Sequence, residues 1–145
     1  MARYSTGVRT GAGSTTLPII SLYTIAGFSP KIREIGAFNT TTTAVALALR
    51  RLTSAGTQGA ALTAAKHDPL SAAALATPFT THTANPTLGD DLGYRNPCGA
   101  AIGAGVIWTF GDTGLIIPVG TANGVGIIIA TGTGQVCDAY IVWDE

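Results

Sequence analysis

The side chains able to do chemistry are few and scattered. His67 stands in Ala65-Lys66-His67-Asp68 and His82 in Thr81-His82-Thr83, and neither belongs to a recognised metal-ligand spacing. A cupin-type site would want a close His-x-His arrangement, which this chain lacks, so both histidines are expected in loops or at the surface. Cys98 and Cys137 are far apart and form no redox or zinc motif. They are expected as two small buried hydrophobes; a disulfide between them stays open, because sequence does not supply its geometry. Asp90-Asp91 is the one adjacent acidic pair before Asp144-Glu145. A Ca²⁺ site needs about six or more oxygens, and no EF-hand pattern surrounds this pair. A solvated loop, with Asp90 or Asp91 pairing Arg95, is the simpler expectation. A glycosidase needs two carboxylates about 5–10 Å apart, and nothing in the spacing selects two among Asp90, Asp112 and Asp138. The glycine-rich stretches match neither a dinucleotide fingerprint nor a P-loop, and no G-x-S-x-G elbow occurs. No catalytic set, metal or cofactor is therefore predicted.

The residues better suited to holding a partner are basic and aromatic. Arg3, Tyr4 and Arg9 lie in a polar, glycine-rich opening segment. Arg50-Arg51 closes an apolar run and directs one guanidinium to each face of a strand. Tyr94 and Arg95 come after the acidic pair, and Asp90 and Asp91 join them as candidate partner contacts. Six arginines against two lysines lean toward interface use, since the planar guanidinium forms forked hydrogen bonds.

Composition says how such residues are deployed. The chain has 145 residues, 46% of them hydrophobic and 11% charged, with eight basic and eight acidic residues and no net charge. A soluble domain carries about 25% charged residues. A folded monomer of this mass exposes on the order of 6,900 Å², so charge is sparse, and a neutral, weakly charged surface favours self-association. There is no basic surplus for binding nucleic acid directly and no apolar stretch long enough for a membrane helix. The N-terminus lacks the apolar core of a signal peptide, so synthesis in the cytoplasm without export by the general route is expected.

The elements that must position these residues read as strands. Residues 1–16 have no period and are expected to form a flexible arm, ahead of a single domain over 17–145. In Ala44–Thr53, Val45, Leu47 and Leu49 alternate with alanines, which selects a strand over a helix. Ser54–Ala76 reads as a long loop with one helical turn after Asp68-Pro69, and Asn85–Pro97 as a second long loop. Val136–Trp143 alternates cleanly. In all, eight short strands separated by Gly, Thr and Asn turns predict an all-β antiparallel sandwich, specifically an eight-stranded jelly roll with long loops. An immunoglobulin-like sandwich ranks lower, because Cys98 comes after four strands.

Three stretches carry a resemblance: Ile35–Thr42, the Leu88–Arg95 segment and the ending Gly132–Trp143. They resemble small proteins of tailed phages, and by class the chain is similar to β-sandwich virion proteins of the capsid cement or decoration type. The resemblance implies a structural virion protein that stabilises a phage head and sits on the major capsid protein, most often as a homotrimer. It assigns no functional residue. The alternative is a carbohydrate- or receptor-binding jelly roll of a tail fibre or lectin, in which Tyr94, Trp108 or Trp143 would stack on sugar rings.

Overall fold

The computed structural model describes residues 1–145 and contains eleven strands and no helix. They are β1 (Arg3–Arg9), β2 (Ile20–Tyr23), β3 (Lys31–Asn39), β4 (Val45–Leu52), β5 (Ala65–Lys66), β6 (Thr77–Thr80), β7 (Leu88–Cys98), β8 (Gly105–Thr109), β9 (Leu115–Ile116), β10 (Gly124–Thr131) and β11 (Cys137–Asp144). One sheet runs β5-β1-β11-β3-β8, with β9 also on β3; the other runs β6-β2-β10-β4-β7. Every pairing is antiparallel.

Side-chain alternation builds the layer between the sheets. In β11, Cys137, Ala139, Ile141 and Trp143 are buried while Asp138 is exposed. In β10, Val125, Ile127 and Ile129 are wholly buried and face Leu22, Ile20, Leu49 and Leu47 on the strands beside them. Each large aliphatic side chain removed from water contributes about 1.5–3 kcal/mol, so this interleaved layer holds the two sheets together. The second sheet is also covered outside. His82 N–H donates to the Pro18 carbonyl, Thr57 bridges Ala84, and the Tyr23 hydroxyl donates to the Ser54 carbonyl at 3.0 Å. Ala48 and Ile128, on that outer face, are accordingly buried.

Three expectations change. Residues 1–16 are not a flexible arm: β1 lies inside the first sheet, paired with β11 from Arg3↔Asp144 to Arg9↔Asp138 and with β5 on its other side. Its glycines and polar residues hid a strand whose inward face is Tyr4 and Thr6. Most of the second expected loop is a strand too, since β7 pairs β4 through two irregularities. The middle segment does remain without regular structure apart from β5, but has no helical turn. Asp68 instead closes a tight turn by accepting Leu70 N–H at its carboxylate and Ser71 N–H at its carbonyl.

Candidate functional site

The arginines expected to grip a partner are mostly held within the chain. On the outer face of the first sheet, the β1/β11 register sets Arg3 opposite Asp144 and Arg9 opposite Asp138. Arg3 makes a forked pair with Asp144 (2.7 and 3.1 Å), and Arg33 of β3 reaches the same carboxylate at 2.5 Å. Arg33 also donates to the Gly111 and Asp112 carbonyls, which pins the turn after β8. The hydrogen bond from Arg3, with Arg33 and both charges behind it, holds the Asp144 carboxyl below its ordinary range. Arg9 forks onto Asp138 at 2.9 Å in the open. Tyr4 is buried; it stacks on Trp143 with ring centres 5.8 Å apart and donates to the Ala72 carbonyl at 2.9 Å.

A second group gathers where β4 meets the irregular part of β7. Arg50 donates to the Gly89 carbonyl at 2.7 Å and lies 3.9 Å from the Asp91 carboxylate. Asp91 accepts from Arg95, as expected, and from the Gly93 N–H at 2.9 Å, where a φ of 76° requires glycine. That backbone bond, ahead of the Arg95 and Arg50 contributions, lowers the Asp91 carboxyl. Asp90 is exposed. Arg51 leaves by the opposite face and donates to the Ile116 carbonyl at 2.8 Å, so the expected split of the two arginines is found. Tyr94, 39% exposed, meets Phe110 and Trp108 edge-on, with ring centres 5.3 and 6.2 Å away. Trp108 is 8% exposed and Trp143 wholly buried, which removes both as sugar platforms.

His82 lies in the loop after β6, as expected, but not at the surface. It lies 2% exposed on the outer face of the second sheet, its Nε2 hydrogen-bonded to the Ser21 hydroxyl at 2.9 Å and its ring 5.9 Å from that of Tyr23. Its Nδ1 has no partner in the chain, and burial lowers its pKa. A serine against a histidine nitrogen is the geometry of an activated nucleophile, but Ser21 is fully buried beneath the segments covering that sheet, so substrate has no approach. No local signal marks this contact, because Ser21 and His82 meet through tertiary packing. Glu145 was also missed: its carboxylate accepts from Leu75 N–H (2.7 Å), Ala76 N–H (2.9 Å) and Trp143 Nε1 (2.9 Å), so the last side chain anchors the long middle segment.

Cys98 and Cys137 are buried free thiols in the shared core, as expected of small hydrophobes, and burial pushes Cys137 up to about 11. His67 is exposed. No three His, Cys, Asp or Glu side chains gather around a common point. The one concavity is an open groove of about 240 Å³ lined by Leu62, Ala64, Lys66, Ala74, Thr77 and Pro78. In comparisons with known proteins, no family model, curated protein or solved structure matches the chain.

Proposed function

We propose that this chain is a structural virion protein of the capsid cement or decoration type, lying on the major capsid protein of a phage head and assembling with copies of itself. The observation that carries this is how its charge is used. Five of the six arginines (Arg3, Arg9, Arg33, Arg50 and Arg95) are ion-paired to three aspartates of the same chain, Asp91, Asp138 and Asp144. What remains is a weakly charged surface, with Ile102, Ile107 and Val119 more than half exposed. Such a surface is suited to being covered by neighbours. The topology supports the same reading. Without the short β5, β6 and β9, consecutive strands alternate between the two sheets except at β4 and β7, which pair within one, in the orders β1-β11-β3-β8 and β2-β10-β4-β7. We infer an eight-stranded jelly roll with three added strands, an architecture used by capsid and lectin domains. The trimeric state rests on the resemblance of Ile35–Thr42, Leu88–Arg95 and Gly132–Trp143 alone.

The test is quantitative mass spectrometry of purified particles, followed by re-addition of the protein to shells stripped of it. A copy number comparable with that of the major shell subunit, and shells that resist heat better once it is restored, are expected. A few copies per particle would favour the fibre-tip alternative, and absence from particles would overturn the proposal. For the lectin alternative, Tyr94 is the one remaining exposed aromatic of the three, and a flat glycan-array response would remove it.

A further inference from the structure

The strand β8 is an edge, paired on one side with β3. Two bonds set the parity of its backbone. Asn39 N–H donates to the Ala104 carbonyl at 2.7 Å, and Phe110 N–H donates to the Arg33 carbonyl at 3.0 Å. Ladder bonds recur at every second residue of an antiparallel pair. Val106 and Trp108 therefore turn their backbone groups to β3, while those of Gly105, Ile107 and Thr109 point outward. Of these outward groups, the Gly105 carbonyl has a partner, the Asn96 side-chain amide at 3.0 Å. The Ile107 side chain is 51% exposed and Thr109 is exposed beside it.

The other three sheet edges are protected, each differently. The β5 edge is two residues long. The β6 edge is covered by Ala60–Leu62, through Thr80 N–H to the Ala60 carbonyl and Leu62 N–H to the Pro78 carbonyl. The β7 edge is broken by two register shifts and carries Asp90, Asp91, Arg95 and Pro97. Proline, charge, bulges and short length are the devices that keep an edge from pairing. β8 has none of them, and no charged residue lies between Arg95 and Asp112.

We propose that the β8 edge is an interaction surface that takes the same strand of a second copy of this chain, antiparallel, about a two-fold axis at Ile107. The outward groups read the same in both directions. With Ile107 opposite its own copy, Gly105 of each chain faces Thr109 of the other, and each facing pair exchanges two backbone hydrogen bonds, the Gly105 carbonyl accepting the second bond on the lone pair that Asn96 leaves. The two Ile107 side chains meet on the outer face, and Val106 meets Trp108 on the inner. An uncharged strand has nothing to repel its own copy and nothing to recruit a charged foreign one. The contact is two-fold, so a trimer would use another surface; it is one form of the self-assembly proposed above, but does not depend on the virion role.

Sedimentation velocity on the full chain, from low to high micromolar concentration, is the test. A reversible dimer is expected for the wild type. Ile107→Lys places a charge on the axis and should weaken the dimer at least about tenfold, with an unchanged melting temperature at concentrations low enough for both proteins to be monomeric, because the side chain is exposed. Ile107→Cys should give a covalent dimer with oxidised glutathione, since facing Cα atoms in such a pair lie about 5.5 Å apart, within disulfide range; the native thiols are buried. A wild type that stays monomeric, a dimer indifferent to Ile107→Lys, or a dimer whose Ile107→Cys form does not cross-link would each overturn the proposal.

Discussion

At the scale of single residues, His82 is the most consequential polar group, because it is buried among neutral partners. Ser21 holds Nε2, Tyr23 lies beside the ring, and Nδ1 has no partner in the chain. Burial lowers its pKa in the fold below the unfolded value near 6.5. The unfolded chain therefore binds the proton first as pH falls. Stability from this group is full above about pH 7 and declines by up to about 1.4 kcal/mol per unit below the unfolded value. Thermal melts between about pH 7.5 and 5, above the ordinary carboxylate range, should show this decline in the wild type and lose it in His82→Phe. An equal decline in both proteins would assign it elsewhere. His67, exposed and next to the edge strand β5, belongs to no such contact.

At the scale of elements, β1 decides more than its composition suggests. It sits between β11 and β5, and Tyr4 and Thr6 point inward. Removing residues 1–10 would strip the ladder from β11, uncover Trp143 and leave Asp144 without Arg3. The truncated chain is expected to lose its cooperative thermal transition, whereas a dispensable arm would leave it unchanged. Tyr4→Ala, which also abandons the Ala72 carbonyl, should cost about 3–5 kcal/mol in urea unfolding. In β7 the glycines and charges at 89–95 look like a loop, and the strand survives because β4 pairs it on either side of the irregular Asp91–Arg95 stretch.

At the scale of the whole molecule, the two ends of the chain meet. Ala2 N–H donates to the Glu145 carbonyl at 2.6 Å, and Glu145 N–H donates back to the Ala2 carbonyl at 2.8 Å. Joining the termini with a short Gly/Ser linker and reopening the chain within the exposed Asp68–Leu70 stretch should preserve the fold, because the cut breaks no sheet pairing. Circular dichroism should remain that of a β protein and the melting temperature should stay within a few degrees. Collapse of the permutant would mean that the Asp68 turn is needed for folding. The surface of 6300 Å² is near the value expected for this mass, so its unusual feature is chemical: few charges, most arginines paired internally.

By itself the sequence determined the features that short-range pattern dictates. The alternation in Val136–Trp143 and in Val45–Leu49 selected strands with two distinct faces, and the low charge marked a surface with little to oppose association. Tertiary structure alone decided where weakly patterned segments went. β1 became a strand because β11 offered a complementary ladder and Trp143 a stacking face for Tyr4. His82 became a buried residue because Ser21, sixty-one positions away, offered its hydroxyl. The arginines expected to hold a partner are engaged by the chain's own carboxylates, because those partners lie on strands distant in sequence, such as Asp144 for Arg3. Periodicity is a local property of the chain, whereas edge exposure, ion-pair choice and the burial of polar groups depend on which distant strands become neighbours.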